Sequence, residues 1–331
     1  MGRLKHISIL IPEGDCSITH IEATHQIFSS LNDLLSRLGR HELFEVQLVG
    51  LQKEPKVKKG LYRVYPDILI QDLKHTDLVI IPAIQESIDK GLELNAKLGE
   101  WILKQYKSGA EVASFCIGSF LLASTGLLNG RKCTTHWSAA SQFKALFPEI
   151  DLLPDKIITD EGGIYTSGGA LSFQNLIIYL VEKYAGRDTA ILAAKTFMID
   201  IDRNSQSPFM IFSGQKEHDD QQIGKVQEFI ESNLQEKLSV DQLADMVAIS
   251  RRNFERRFKK ATSNSILEYI QRVRIEAAKK SLESSGMNVN EVMFTVGYTD
   301  IKAFRNTFKK ITGLSPIEYR NKYNRRSMEL N

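Results

Sequence analysis

The chain has 331 residues, room for about two domains, and its 42% hydrophobic and 25% charged content excludes global disorder and fibrous repeats. No stretch approaches the ~18 consecutive apolar residues of a membrane span, and Met1-Gly2-Arg3-Leu4-Lys5-His6 leads into an apolar run without a signal-peptide pattern. The net charge of +3 is uneven: residues 1–214 hold 22 Lys and Arg against 24 Asp and Glu, whereas residues 251–326 hold 18 against 7. A basic block of that density is the footprint of a nucleic-acid binder, or else of a well-solvated helical surface, and only the residue pattern separates the two.

In chain order, Lys5–Ile11 reads as a buried strand, Thr19–Leu38 as an amphipathic helix and Phe44–Leu51 as a second strand. Asp77–Pro82 follows as a strand, Leu92–Lys107 as a helix, Glu111–Phe115 as a strand, Ile117–Leu127 as a helix and Lys132–Thr134 as a short strand. Asp160–Ser167 reads as a hairpin turning on glycine, and Ala170–Tyr184 and Asp188–Ile199 as helices. Short apolar strands alternating with helices predict a parallel sheet covered on both faces. Residues 203–221 mix Pro, Gly, Ser and charge without a period and read as a linker after a first domain of residues 1–202. Beyond it apolar residues recur at helical spacing only, so residues 222–325 are predicted all-α.

That second domain carries an internal duplication. Shifting residues 254–269 by 50 positions gives eight identities in sixteen: Phe254, Phe258, Lys259, Lys260, Thr262, Ser265, Glu268 and Tyr269 meet Phe304, Phe308, Lys309, Lys310, Thr312, Ser315, Glu318 and Tyr319. Each copy opens with a capping box, Ser239-x-x-Gln242 or Asn288-x-x-Glu291, followed by a short helix. A turn comes next (Ala248-Ile249-Ser250; Gly297-Tyr298-Thr299), then a second helix starting near Ser250 or Asp300. This is a helix-turn-helix twice over. At ~100° per residue the phenylalanines face inward, which turns Arg251, Arg252, Glu255, Arg256 and Lys259 outward in one copy and Lys302, Arg305, Asn306 and Lys309 in the other. Arg, Lys and Asn are the side chains that read guanine and adenine edges and neutralise phosphates.

Residues 222–325 resemble the DNA-binding domain of the AraC/XylS regulators. The motifs are Leu243-Ala244, Ser250-x-x-x-Phe254-x-Arg256-x-Phe258-Lys259, Arg274-Ile275-Glu276-x-Ala278, Gly297-Tyr298, Phe304-x-x-x-Phe308 and Gly313-Leu314-Ser315-Pro316-x-x-Tyr319-Arg320. The resemblance implies two helix-turn-helix units joined by a rigid central helix, here Ile266–Ser284, with both recognition helices reaching successive major grooves about 34 Å apart.

In the first domain, Val112-Ala113-Ser114-Phe115-Cys116-Ile117-Gly118 runs from strand to helix with Cys116 at the junction. A nucleophile elbow works this way, exposing the side chain on a sharp turn where the helix start favours a thiolate; the alternative is a buried small hydrophobe. His136 lies at the end of the next strand, where the loops after parallel strands converge. The three cysteines, Cys16, Cys116 and Cys133, form an odd, sparse set that points to a reducing cytosol. Cys16 follows the first strand, and a switchable disulfide to Cys116 would need Cα atoms within ~7 Å.

Cys116-x-Gly118, Ala123-Ser124-Thr125-Gly126-Leu127-Leu128, Gly130-Arg131, Thr134-Thr135-His136-Trp137 and Thr166-Ser167-Gly168-Gly169 resemble the ThiJ/PfpI-like, class I glutamine-amidotransferase-like superfamily. This resemblance implies a flavodoxin-like α/β sandwich that dimerises and, in its enzymes, pairs the elbow Cys with His and an acid. The acid's usual place at the start of the first helix is taken here by Thr19 or His20, leaving Glu13 and Asp15 as nearby carboxylates. Cys116 and His136 are therefore read as a remnant, with no catalytic residue assigned, and Glu13, Cys116, His136 and Trp137 as the lining of a ligand pocket. Trp137 offers an aromatic face to a cation, or a core side chain.

Together the halves look like a GlxA-type regulator: a cytoplasmic, dimeric, DNA-binding transcription factor, not an enzyme, that needs neither cofactor nor metal. Double-stranded DNA, a second copy of the chain and a small effector, an amino acid or quaternary amine, are the expected partners, with RNA polymerase a further candidate and no membrane. Two rivals stand beside it: a Cys-dependent hydrolase tethered to DNA, and a ligand-independent DNA-binding protein whose first domain only dimerises.

Overall fold

A computed structural model describes residues 3–57, 60–216 and 218–324. Met1 and Gly2 of the N-terminal stretch, and Arg325, the last residue of the predicted second domain, lie outside the described residues. The chain divides into two compact units after Gln206, inside the 203–221 stretch. Within that stretch, Gln206 is buried in the first unit and Phe212 packs on the core of the second.

In the first unit, β1 (Lys5–Ile11) leads through α1 (Ile18–Arg37) to β2 (Phe44–Gly50), a small hairpin of β3 (Lys56–Val57) and β4 (Tyr62–Arg63), and the edge strand β5 (Ile68–Leu69). Next come β6 (Leu78–Ile81), α2 (Ile88–Leu94), α3 (Ala96–Lys107), β7 (Glu111–Phe115) and α4 (Ser119–Ser124). β8 (Lys132–Cys133), α5 (Ala140–Leu146), β9 (Asp151–Leu152), β10 (Ile158–Asp160), β11 (Ile164–Ser167), α6 (Phe173–Ala185) and α7 (Arg187–Thr196) complete it. The main sheet runs β10-β11-β7-β6-β1-β2-β5, parallel throughout except for β10. Alternate residues of β1 explain its unbroken apolar run: Ile7, Ile9 and Ile11 enter the core with α1 and α6, while Leu10 enters the opposite core with Trp101 and Phe120. A strand buried on both faces has no polar alternation. The flavodoxin-like α/β sandwich is the fold.

Two expected helices are corrected. The helix read over Leu92–Lys107 is two helices broken at Asn95, whose buried amide accepts the Glu13 amide (2.8 Å) and donates to the Glu13 and Gly91 carbonyls (3.0 and 2.9 Å). A side chain that ties down a neighbouring loop competes with helix continuity, as Asn readily does. The helix read over Ile117–Leu127 opens as a 3-10 turn at Cys116–Gly118 and ends at Ser124, because Cys116 sits at φ +54 and Gly126 at φ +79.

The second unit begins with a 3-10 turn at Ser207–Phe209, followed by α8 (Gln221–Ser232), α9 (Val240–Met246), α10 (Arg251–Thr262), α11 (Ile266–Ser284), α12 (Val289–Thr295), α13 (Ile301–Thr312) and α14 (Pro316–Tyr323). Both predicted capping boxes are closed, at Ser239–Gln242 and Asn288–Glu291, and two more cap α11 and α14 at Ser265–Glu268 and Ser315–Glu318. The duplication extends to hydrogen bonds: Thr262 Oγ1 donates to the Phe258 carbonyl at 2.8 Å, and Thr312 Oγ1 to the Phe308 carbonyl at 2.8 Å. Both turns bear one left-handed residue, Ala248 at φ +53 and Gly297 at φ +79. At Gly297 a Cβ would run into the Leu234 carbonyl, so this copy needs glycine. α11 serves two cores, giving Tyr269, Ile270 and Val273 to the first and Ile275, Ala278 and Leu282 to the second. One rigid helix thereby fixes the two helix-turn-helix halves together.

Candidate functional site

Parallel strands end on one edge of the sheet, and the strand order brings the loops after β11, β7, β6 and β1 side by side there. Cys116 leaves β7 in the left-handed region, the strained backbone of an elbow. Its carbonyl accepts from Thr135 Oγ1 at 3.2 Å, and Thr135 Oγ1 accepts in turn from Ser119 Oγ at 2.8 Å, which sets the His136-bearing segment against the elbow. The side chain of Cys116 is 7% exposed. Burial pushes its thiol up to about 11, outweighing the Ile117 amide, which pulls the other way. Of the two readings of Cys116, burial favours the small buried thiol: desolvation of the anion exceeds what a single 3-10 turn returns.

His136 caps the 3-10 turn Trp137–Ala139, its Nδ1 accepting the Ser138 amide at 3.1 Å. That bond leaves the other ring nitrogen, Nε2, to carry the proton of the neutral ring, and burial holds its pKa below the usual histidine value. Among the described residues no hydrogen bond joins His136 to Cys116. Trp137 stacks obliquely on His136 with ring centroids 5.4 Å apart, and its indole is partly exposed. At the start of α1, Thr19 is exposed and His20 is buried between Phe115 and Phe173. Glu13 is half-buried, accepts from Gln52 through Oε2, and keeps a buried Oε1 without a partner; burial raises its pKa. Cys16, Cys116 and Cys133 are all buried thiols, none in a disulfide.

In the second unit the two duplicated helices expose matching faces. Phe254, Phe258, Phe304 and Phe308 are 0% exposed, while Arg251, Arg252, Glu255, Arg256, Lys259, Lys302, Arg305, Asn306 and Lys309 are all exposed. Arg251 is paired with Asp241 and Glu255 at 3.2 Å each, and Arg256 donates to Asn253 at 2.9 Å. Among the described residues Arg252, Lys259, Lys302, Arg305 and Asn306 make no side-chain hydrogen bond or ion pair, while Lys309 lies close enough to Glu318 to help the Ser315 amide hold its carboxyl below the usual range. Long cations with no internal partner on a shared face are held ready for an external anion.

Comparison with known proteins bears on both units. Residues 28–183 match the DJ-1/PfpI family and residues 243–322 match a helix-turn-helix domain. The chain joins a DJ-1/PfpI domain to an AraC-type helix-turn-helix domain. Its architecture is that of a transcriptional regulator. It is 24% identical to the HTH-type transcriptional regulator GbdR of Pseudomonas aeruginosa over 87% of this chain and 77% of that one. It is 23% identical to the HTH-type transcriptional regulator GlxA of Rhizobium meliloti over 63% of this chain and 64% of that one. A solved protein from Vibrio parahaemolyticus superposes with a TM-score of 0.53 at 24% identity, covering 59% of this chain and 99% of that one, which shows the fold.

The residues that hold the AraC-type domain's surface in place were less visible from sequence. Arg257, partly buried behind the exposed face, forks onto Asp220 at 2.9 and 2.6 Å and so ties α10 to the cap of α8. Its position 50 residues on is Thr307, so the duplication gave no hint of it. In the DJ-1/PfpI domain, Gln206 bonds the loop that carries Trp137, and nothing in its mixed polar neighbourhood marks it in sequence.

Proposed function

We propose that the chain is a sequence-specific, double-stranded-DNA-binding transcription regulator of the cytoplasm whose DJ-1/PfpI domain binds a small effector and dimerises. The observation that carries this reading is the pair of matched, exposed basic faces on α10 and α13. In it, Arg252, Arg256, Arg305 and Asn306 read base edges, while Lys259, Lys302 and Lys309 engage phosphates. Arg251 and Glu255, already paired, orient the start of α10. RNA polymerase is a further partner in this reading.

Glu13, Cys116, His136 and Trp137 form the effector cleft. An unpartnered carboxylate oxygen at Glu13 and an indole face at Trp137 suit a cationic metabolite, such as an amino acid or quaternary amine. Among the described residues no helix is long and apolar enough to cross a membrane.

The left-handed elbow at Cys116 favours a second reading, a Cys-dependent hydrolase. Three features support a sensor instead: a thiol kept protonated by burial, Thr19 or His20 where the helix-start acid would stand, and His136 engaged in capping. The experiment is a thermal-shift panel of amino acids and quaternary amines on wild type and Cys116→Ala, with each compound assayed for conversion. Stabilisation of both proteins without turnover supports the sensor. Turnover by wild type alone overturns it in favour of the enzyme.

A further inference from the structure

The first unit ends at Gln206 and the second begins at Ser207. Gln206 is 3% exposed, and its carboxamide sits among three loops of the DJ-1/PfpI domain. Its Nε2 faces Thr135 O (2.9 Å), Thr134 Oγ1 (3.2 Å), Pro154 O (3.0 Å) and Lys156 O (2.9 Å). Its Oε1 accepts the amides of Gly169 (2.6 Å) and Trp137 (3.4 Å). A Cβ at Gly168 would overlap this carboxamide, so the loop after β11 is shaped around it. A buried amide with both ends bonded holds its surroundings firmly, because removing it strands the donors it satisfied.

Within the second unit the chain is held again at once. The Pro208 carbonyl accepts from Tyr323 Oη at 3.0 Å. The Met210 carbonyl accepts from the buried Lys279 of α11 at 2.6 Å, and the Phe212 amide donates to Glu276 of α11 at 3.2 Å. Lys279 and Glu276 are themselves paired at 2.7 Å. So Gln206 grips the segment carrying His136 and Trp137, and two residues later the chain is bonded to the DNA-binding unit.

We propose that Gln206 is the positioning residue through which the effector cleft acts on the DNA-binding domain. This rests on the effector-controlled regulator reading and adds its route. A shift of the 134–137 segment or of Gly169 changes the Gln206 bonds, and with them how firmly the chain entering the second unit is held. Coupling requires that a ligand in the cleft change the free energy of these bonds, and Gln206 is where that change would reach the chain.

The test is a double-mutant cycle on the full chain, read as Kd for the duplex that wild type enriches from random DNA. Trp137→Ala perturbs the cleft without needing a ligand. It is expected to change Kd about fivefold or more, the scale of allosteric coupling, in the wild-type background. In Gln206→Ala the same change should fall below about twofold, a difference between backgrounds larger than the additivity of independent sites allows. Gly168→Ala, which displaces the carboxamide and leaves Gln206 itself intact, should reproduce that loss. A Gln206 that merely stabilises its domain would lower the melting temperature and leave the Trp137 effect on Kd intact. An equal Trp137 effect in all three backgrounds, or none in wild type, overturns the proposal. Failure of the underlying reading shows separately, as no duplex enriched by wild type.

Discussion

His20 Nε2 donates to the Ala170 carbonyl at 2.9 Å, while its Nδ1 accepts the Ala83 amide at 3.2 Å. The two bonds fix a single neutral tautomer, and burial holds the pKa down to about 4. In the unfolded chain the ring takes a proton near 6.5. Between those values the unfolded state binds more protons, so His20's contribution is complete above pH 6.5 and is lost as pH falls toward 4. Denaturant unfolding of the full chain should show stability declining over that window, and His20→Asn should flatten the decline. An unchanged slope in the variant would refute the assignment.

Cys116 has the backbone of a nucleophile without its ionisation. With its thiol pushed up to about 11, the reactive thiolate is a small fraction at neutral pH. Alkylation of Cys116 by iodoacetamide, followed by peptide mass analysis, should rise about tenfold per pH unit from 7 to 10 without levelling. A plateau below pH 8 would indicate an activated thiolate and favour the enzyme reading.

Phe304 is 0% exposed and packs against Tyr298 and Phe308, with ring centroids 5.4 and 5.8 Å away. Phe304→Ala should cost the second half of the AraC-type domain about 3–5 kcal/mol, read by hydrogen exchange as loss of protection in α12–α14. Exchange in α8–α10 should change much less, because those helices pack on a separate core.

The exposed face of α13 divides by role. Arg305→Ala and Asn306→Ala should alter which duplexes are chosen, each by about 1–3 kcal/mol at its base position. Lys309→Ala should weaken all duplexes alike and reduce the salt slope of log K by about 0.9. Binding titrations at several salt concentrations separate the two outcomes. Uniform weakening by Arg305→Ala would move that residue to the phosphate group.

The AraC-type domain was highly legible in the sequence because its signals are local and duplicated. Capping boxes, a 50-residue shift and a 3.6-residue apolar period placed α10, α11 and α13 and separated the faces of Phe254 and Arg252. The DJ-1/PfpI domain was legible in its buried strands and at its elbow. Asn95 and Gln206 were hidden because each acts through one polar side chain reaching a distant loop, which leaves no period or spacing behind. The ionisation of Cys116 stayed open in the sequence for a related reason: the sequence shows the turn, while burial by distant segments decides the charge.

The central claim is selective DNA reading by two helices on one rigid frame. Its most direct test is enrichment of random duplexes by the full chain at physiological salt, followed by hydroxyl-radical footprinting of the enriched site. The account predicts a preferred sequence with two protected clusters per protomer, about 10–10.5 base pairs apart on one face, the half-sites losing selectivity separately in Arg252→Glu and Arg305→Glu. Affinity that tracks salt alone, with no sequence enriched and both variants like wild type, would contradict it.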